Sequence, residues 1–262
     1  MDLNLKNKVA LVTGSNRGTG ECIAATLASE GARVVFHSNE QGGADAAVAA
    51  VEGALGVWGD VSTEDGCEQV LAQTRDAVGE VDILVNNYGT ATAGKWAVSD
   101  TNDWLDMYQK NVLSAARLIQ GLVPAMKTKG WGRIVQLGTI GSHQPNSIMP
   151  HYYAAKGALA TMSVSLTKEL SHTGITVNTI SPGYIRTAEL EAGFRRRAEK
   201  KGWGDDWNDI VKHIVASEYP NPCGRIAERQ EVADLVAFIC SDRAGFINGQ
   251  NIRIDGGAVC YV

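Results

Sequence analysis

The sequence has no apolar run near the roughly 20 residues that span a bilayer, and its first residues lack the apolar core of a secretory signal. Its 5 cysteines are scattered and contain no C-x-x-C pair, which indicates reduced thiols rather than a disulfide framework. Basic residues are not in excess, since the net charge is -5 at pH 7. We therefore expect a cytoplasmic protein with no membrane or nucleic-acid partner and no bound metal.

Glycine is abundant, with 29 residues that lie mostly at the ends of short apolar runs, where turns need it. The runs are rich in β-branched residues and alternate with helical patterns at the spacing of βαβ units. This alternation predicts an α/β fold, with one doubly wound, Rossmann-type parallel sheet and helices on both faces. We expect residues 1–262 to form a single domain.

The alternation breaks in residues 188–219, which are charged, helical in composition and without a strand. We expect this segment to be a helical substrate lid over the carboxyl end of the sheet. Its arginines and lysines are balanced by glutamates, so they form either a solvated helix face or a basic lip for an acidic substrate. Trp203 and Trp207 either line a pocket or anchor the lid.

A glycine-rich loop joins the first predicted strand to the first predicted helix. Gly14, Gly18 and Gly20 would let the backbone approach a pyrophosphate at the positive end of that helix, although a simple tight turn would also use glycine. Asp60 follows the third strand at the same edge of the sheet. It either bonds an adenine amino group or starts the next helix.

Two helix predictions bear on the site. Ser62 with Asp65 predicts a capping box that opens a helix through Val78. Residues 102–126 predict one long helix, and Asn111 lies on its apolar stripe. A buried amide without partners costs on the order of 1–3 kcal/mol, so Asn111 either braces the core or serves a site.

Tyr152 and Lys156 are four residues apart in a predicted helix and so lie one turn apart on the same face. An ammonium beside a phenol lowers the pKa of the phenol, which makes the pair a candidate acid–base centre, although such pairs also occur by chance on solvated helices. Thr139 follows a predicted strand, where its hydroxyl would face the ligand crevice or simply belong to a turn.

Taken together and in this order, these motifs resemble the classical short-chain dehydrogenase/reductase family over residues 9–257. The general pattern is most similar to 3-oxoacyl-carrier-protein reductases and related ketone reductases. The matching segments are residues 13–20 for the T-G-x-x-x-G-x-G loop, 86–89 for the N-N-A-G turn, 152–156 for Y-x-x-x-K, 182–187 for P-G-x-x-x-T and 255–257 for D-G-G.

The resemblance implies roles for single residues. Tyr152 would be the general acid and base, Lys156 would lower its pKa and hold the nicotinamide ribose, and Asn111 would help to hold a water in a proton relay. Thr139 stands at the family's serine position, thirteen residues before the tyrosine, and its extra methyl group would narrow the pocket. Tyr88 replaces a small residue of the N-N-A-G turn, which puts the local cofactor geometry in question.

The second strand ends in Ser38 and Asn39 instead of the acid that NAD-preferring members carry, and Arg17 stands where NADP-preferring members often have a cation. Glu40 weakens this inference. We expect NADP(H) to be favoured over NAD(H). The residues that the resemblance assigns to the cofactor are Gly14, Asn16, Arg17, Gly18, Thr19, Gly20, Ser38, Asn39, Asp60, Val61, Asn87, Gly89, Tyr152, Lys156, Pro182, Gly183, Ile185 and Thr187.

The sequence thus predicts an oxidoreductase that transfers a hydride between NADP(H) and a ketone or secondary alcohol. The alternatives are an NAD-dependent dehydrogenase of a cyclic or steroid-like alcohol and a dinucleotide-binding sensor without turnover. The resemblance also implies a homotetramer that takes a small carbonyl or alcohol substrate. The predicted catalytic residues are Asn111, Thr139, Tyr152 and Lys156, and the candidate substrate contacts are Trp96, Gln144, Tyr184 and Trp203.

Overall fold

The computed structural model describes residues 2–261, which form one seven-stranded parallel sheet covered by helices. The predicted fold class is confirmed. The strands are β1 Val9–Val12, β2 Arg33–Ser38, β3 Leu55–Trp58, β4 Ile83–Asn86, β5 Gly132–Leu137, β6 Ile175–Pro182 and β7 Asn251–Ile254. The helices are α1 Gly18–Ser29, α2 Asp45–Ala49, α3 Glu64–Val78, α4 Thr101–Tyr108, α5 Ser114–Lys129, α6 Pro150–Glu169, α7 Ala188–Lys201, α8 Trp207–Ser217 and α9 Arg229–Cys240.

The order of the strands creates a crevice at one edge of the sheet. They lie in the order β3-β2-β1-β4-β5-β6-β7, so the winding reverses between β1 and β4, which pair with each other. Loops that leave two strands at such a point diverge and open a ligand crevice at the carboxyl ends. The loop after β1, residues 14–20 (the glycine loop), and the turn after β4, residues 86–89 (the NNYG turn), meet there.

Side chains of the strands enter two apolar cores on opposite faces of the sheet. Val12 packs with Ile23 of α1 in one core, which α9 also covers. Leu11 packs with Val70 of α3 and Leu118 of α5 in the other. Because a parallel sheet is covered on both faces, its strands are continuous apolar runs rather than alternating ones.

The predicted helix 102–126 is not continuous. A π-helical turn, Gln109–Leu113, separates α4 from α5 and contains Asn111, which is 1% exposed. Turns of this kind inside helices occur frequently at functional sites. The apolar stripe runs through the turn without a visible break, so sequence periodicity predicted one helix.

The segment 188–219 is helical as predicted and consists of α7, α8 and their connections. Phe194 and Ile210 belong to an apolar cluster that these two helices build for themselves. Two of the three arginines of α7 are paired with carboxylates: Arg195 lies 2.6 Å from Glu191, and Arg197 also pairs with a glutamate. These pairs favour the solvated helix face over the basic lip.

Among the described helices, none combines the length and the apolar character needed to cross a membrane. Residues 2–261 also contain no cluster of three or more histidine, cysteine, aspartate or glutamate side chains that could hold a metal ion. All five cysteines are free thiols.

The start of α3 differs from the prediction. Its N-cap is Thr63, whose Oγ1 accepts the Gly66 N–H at 3.1 Å. Ser62 instead donates both its N–H and its hydroxyl to Asp60 Oδ1, at 3.0 and 2.7 Å. The predicted capping box at Ser62 is wrong because the Asp60 carboxylate turns the backbone first and moves the helix start by one residue.

Thr63→Ala is expected to lower the free energy of unfolding by about 1 kcal/mol, because the Gly66 N–H loses its capping oxygen. Ser62→Ala is the matched control and removes an exposed hydrogen bond to Asp60 but no helix cap, so its loss should be about 0.5 kcal/mol or less. Denaturant unfolding of both variants measures the difference. A larger loss for Ser62→Ala would contradict the observed cap.

Candidate active site

The start of α6 and the end of β5 bring three of the predicted catalytic residues together. Lys156 is 5% exposed, and its Nζ donates to the carbonyl oxygen of Leu137, the last residue of β5, at 2.7 Å. Thr139 follows β5 by two residues, and its hydroxyl lies close enough to Tyr152 to lower the pKa of the phenol. The one-turn spacing of Tyr152 and Lys156 on α6 therefore holds both groups against the end of one strand.

Burial raises the pKa of Tyr152 to about 12, and the nearby Thr139 hydroxyl offsets only part of that rise. The sequence predicted the opposite direction, from the charge of Lys156. That prediction is wrong for this geometry, because the effect of burial on the phenol dominates and the Lys156 ammonium is engaged by Leu137. The phenol is therefore protonated at neutral pH and can act as a hydrogen-bond donor.

Lys156 is affected by the same loss of water. Burial lowers the pKa of its ammonium to about 8. The lysine is therefore mostly charged at neutral pH and loses its proton as the pH rises through about 8. Because the pKa of Lys156 lies so close to neutral pH, an anion or phenolate that approaches the side chain readily increases the fraction of the lysine that is charged.

Asn111 braces the loop that follows β4. Its Nδ2 donates to the carbonyl oxygens of Met107 and Thr90, both at 3.0 Å, and its Oδ1 accepts the Thr90 N–H at 3.2 Å. A methyl group added to Gly89 would overlap Asn111 Oδ1 and lie 3.0 Å from Lys156 Nζ. The amide is thus satisfied by the backbone, and Gly89 lies between Asn111 and Lys156.

The crevice contains a cavity of about 540 Å³ between the glycine loop, the end of β2 and the NNYG turn. α1 starts at Gly18 without a side-chain cap, so its first N–H groups can receive an anion. Asn87 Nδ2 donates to the carbonyl oxygens of Thr13 and Gly14, both at 2.9 Å, and so fixes the loop. These features fit a dinucleotide. The predicted cofactor residues that line the cavity are Gly14, Asn16, Arg17, Gly18, Thr19, Gly20, Ser38, Asn39, Asn87, Gly89 and Thr187.

Tyr88 also lines this cavity, and its bulk is accommodated at the end of β2. The hydroxyl accepts a hydrogen bond from Asn39 Nδ2 at 3.2 Å, and the ring meets His37 edge-on with centroids 6.4 Å apart. The residue that departs from the family pattern therefore forms part of the wall at the β2 side, away from Lys156.

Arg17 lies at the mouth of the cavity. Its Nε is 3.3 Å from Glu189 Oε1 on α7, and both side chains are more than half exposed. Such an exposed pair contributes about 1 kcal/mol or less, so Arg17 can leave it for another anion. Ser38 Oγ accepts the Glu40 N–H at 3.2 Å and is already used by the backbone.

Seven predicted cofactor residues lie outside this cavity lining, and two of them, Tyr152 and Lys156, belong to α6. The Asp60 carboxylate accepts two hydrogen bonds from Ser62, as described above, and Val61 is fully buried in the apolar core behind β3. Pro182 ends β6, and Gly183 and Ile185 follow it. Their place in a cofactor site stays a prediction.

A second cavity, of about 330 Å³, lies on the other side of Thr139 and contains two of the four candidate substrate residues, Gln144 and Tyr184. Trp96 lines a neighbouring cavity of about 630 Å³ together with Trp104. The structure does not bring Trp203 to either cavity, since it stacks on His213 with ring centroids 4.8 Å apart. Trp203 anchors the α7–α8 segment, which was the alternative interpretation of the sequence.

Among the lining residues of the smaller cavity that sequence reasoning missed, four have polar side chains: Asn146, Tyr153, Glu218 and Tyr219. Tyr153 could have been found from the sequence, because it directly follows Tyr152. The side chain of Tyr153 lines both this cavity and the neighbouring one. No pattern in the sequence pointed to Tyr219. Its hydroxyl donates to the Asp255 carbonyl at 2.7 Å and closes the space beside Gly183, a contact between distant parts of the chain.

Comparison with known proteins agrees with this geometry. The family model described as enoyl-(acyl carrier protein) reductase matches residues 14–259. The chain belongs to the short-chain dehydrogenase/reductase family. It is accordingly an NAD(P)-dependent oxidoreductase that acts on CH–OH or keto groups.

Individual members of the short-chain dehydrogenase/reductase family are similar over nearly the whole chain. The 3-oxoacyl-[acyl-carrier-protein] reductase of Escherichia coli is 35% identical and covers 97% of this chain and 98% of its own length. L-sorbose reductase from Gluconobacter frateurii, solved with NADPH and L-sorbose, has a TM-score of 0.94 at 31% identity and covers 100% of both chains. A 3-oxoacyl (acyl-carrier-protein) reductase from Agrobacterium tumefaciens with NADP bound has a TM-score of 0.86 at 28% identity, over 98% of this chain and 96% of its own.

Proposed function

We propose that this protein is an NADP(H)-dependent ketone reductase in which Tyr152 is the general acid, and the general base in the reverse direction. The observation that carries the proposal is a pair of hydroxyls at the end of β5 and the start of α6: Tyr152 lies close to Thr139, and Thr139 lines a cavity. Both can point to the carbonyl oxygen of one substrate. A sensor without turnover would not need this pair.

Bound NADPH would supply the hydride, and the residues of the chain would do the rest. Residues 14–20 and Lys156 would hold the cofactor near the carbonyl carbon, which reduces the entropic part of the barrier. Thr139 and Tyr152 would donate hydrogen bonds to the oxygen as it gains negative charge. Tyr152 would then release its proton to that oxygen, and the nearby ammonium of Lys156 would stabilise the phenolate.

We propose a small ketone with several hydroxyl groups as the substrate class. The cavity of about 330 Å³ is lined by polar side chains that include Gln144, Asn146 and Glu218. A set of separate donors and acceptors suits a ligand with several polar groups. The similarity to L-sorbose reductase over the full chain supports this class.

A 3-oxoacyl thioester is the second candidate substrate. The neighbouring cavity of about 630 Å³, lined by Trp96, Trp104 and Tyr153, offers room for an acyl chain. The 35% identity to a 3-oxoacyl-[acyl-carrier-protein] reductase supports this candidate. The α7–α8 segment would act as the lid, since Glu218 and Tyr219 at its end line the smaller cavity.

NADPH oxidation with a panel of keto sugars and 3-oxoacyl thioesters tests the function. We expect turnover with a keto sugar, a loss of about 10³-fold or more in Tyr152→Phe with nucleotide binding retained, and a loss of about 10²-fold in Thr139→Ala. Thr139→Ser is the matched control and should stay active because it keeps the hydroxyl. Normal turnover of Tyr152→Phe would contradict the assignment. Nucleotide binding without turnover of any ketone would favour the sensor.

We propose NADP(H) as the preferred cofactor, with Arg17 as the ligand of the 2′-phosphate. Arg17→Ala should raise the KM for NADPH about ten-fold and leave the KM for NADH nearly unchanged. Glu189→Gln should lower the KM for NADPH, because it removes the anion that competes for Arg17. Arg196→Ala, also on α7, is the control. Equal effects of Arg17→Ala on both cofactors would favour the NAD-dependent alternative.

We propose that the chain assembles as a homotetramer. Leu105, Tyr108 and Leu113 on α4 and the turn after it are 58%, 39% and 37% exposed, and Val164 on α6 is 47% exposed. Side chains of this type on adjacent elements suit a contact between subunits. Light scattering should give about four times 27.9 kDa, and Leu105→Glu should lower that mass. A monomer mass for the unchanged chain would contradict the proposal.

A further inference from the structure

His37 lies directly behind the glycine loop and is completely buried, with 0% of its surface exposed. The Gly14 N–H donates to its Nδ1 at 2.9 Å, and its Nε2 lies 2.9 Å from the carbonyl oxygen of Gly59, which follows β3. The ring therefore connects the first residue of the glycine loop to the end of a strand on the far side of β2.

These two contacts define the protonation state of the ring. Gly14 offers an N–H, so Nδ1 must be the unprotonated acceptor, and Gly59 offers an oxygen, so Nε2 must carry the proton. A neutral imidazole satisfies both partners. An imidazolium would place a second N–H against the Gly14 N–H, and one of the two donors would lose its partner.

The backbone of His37 holds the next residue of the same loop. The Ser15 N–H donates to the His37 carbonyl oxygen at 3.0 Å, and the His37 N–H donates to Ser15 Oγ at 2.9 Å. Gly14, between β1 and Ser15, has φ +58°, a left-handed conformation that glycine adopts without strain. The side chain and the backbone of one residue thus fix two consecutive residues of the loop.

We propose that His37 is a positioning residue that holds the glycine loop in its nucleotide-binding conformation while the ring is neutral, and that protonation of the ring weakens dinucleotide binding. The inference rests on the proposed use of the glycine loop as the pyrophosphate site. His37 itself does not line the cavity.

The surroundings set the direction of the pH dependence. Burial lowers the pKa of His37 below its ordinary 6.5, while the hydrogen bond to Gly59 and the charge of Asp60 raise it by less. Tyr88, which meets the ring edge-on, is the other titratable group against it. Since the folded state favours the neutral ring, stability is complete above pH 6.5 and decreases as the pH falls below it, whereas nucleotide affinity decreases only as the pH falls through the lowered pKa of the folded ring.

Two variants separate the two ends of the ring. His37→Asn places an amide oxygen near the position of Nδ1 and does not titrate, whereas His37→Gln extends its amide toward Gly59 and leaves the Gly14 N–H without an acceptor. Dissociation constants for NAD⁺ and NADP⁺ are measured by calorimetry from pH 5 to 8. NAD⁺ lacks the 2′-phosphate and so reports the loop without the titration of that group. Thermal melting confirms that each variant is folded.

For the unchanged protein we expect the dissociation constant of NAD⁺ to rise at acid pH, by up to about ten-fold per pH unit once the ring titrates. His37→Asn should bind within about three-fold of the unchanged protein at pH 8 and lose the acid dependence. His37→Gln should bind roughly ten-fold or more weakly at every pH, because a buried N–H is left unpaired. Equal losses of NAD⁺ affinity in both variants, or a decrease of affinity at acid pH that persists in His37→Asn, would overturn the proposal.

Nitrogen-15 NMR of the unchanged protein gives an answer that does not depend on the variants. The ring should carry its proton on Nε2 at pH 7, and the Gly14 amide signal should shift at the same pH as the ring. A charged ring at pH 7, or a Gly14 amide signal that does not shift when the ring titrates, would contradict the proposal. If neither nucleotide binds at any pH while these signals move together, the proposed cofactor site fails and the His37–Gly14 coupling stands.

Discussion

All seven strands run in the same direction, so every loop that leaves a strand at its carboxyl end emerges at the same edge of the sheet. That single constraint places the glycine loop, the NNYG turn and Thr139 side by side, although they are far apart in the chain. The reversal of winding between β1 and β4 then opens the crevice between the first two. The position of the candidate site follows from the sheet before any of its side chains is considered.

The loops at this edge are irregular, and polar contacts to the backbone give them their shape. Asn87 bonds two carbonyl oxygens at the start of the glycine loop, and His37 holds the Gly14 N–H from behind. Asn111 plays the same part for the loop after β4, through three bonds to Thr90 and Met107. His37 and Asn111 are almost completely buried and Asn87 is partly buried, so removing one of these side chains leaves backbone donors or acceptors unpaired. The shape of the cavity is therefore maintained by residues that need not touch a ligand.

Exclusion of water also sets the acid–base properties of the centre. Burial raises the pKa of Tyr152 and lowers that of Lys156, so each group is pushed toward its neutral form. The tyrosine is thus a proton donor at neutral pH, which suits the reduction of a ketone. The reverse reaction needs the phenolate, and a charge close to the ring would be required to stabilise it.

The sequence by itself determined the fold and the identity of the candidate catalytic groups. Short β-branched runs alternating with helical patterns fix a parallel sheet, because this burial pattern is local and repeats along the chain. The four-residue spacing of Tyr152 and Lys156 is likewise fixed by helix geometry. What only the tertiary structure decided depends on segments that meet from distant parts of the chain. The π-helical turn at Asn111, the contact of Tyr88 with Asn39, the pairing of Arg17 with Glu189 and the place of Trp203 in the α7–α8 segment are of this kind. The upward shift of the Tyr152 pKa was also decided by the tertiary structure. Burial is a property of the packed molecule, and its effect on the phenol outweighs that of Lys156, which lies nearby in sequence.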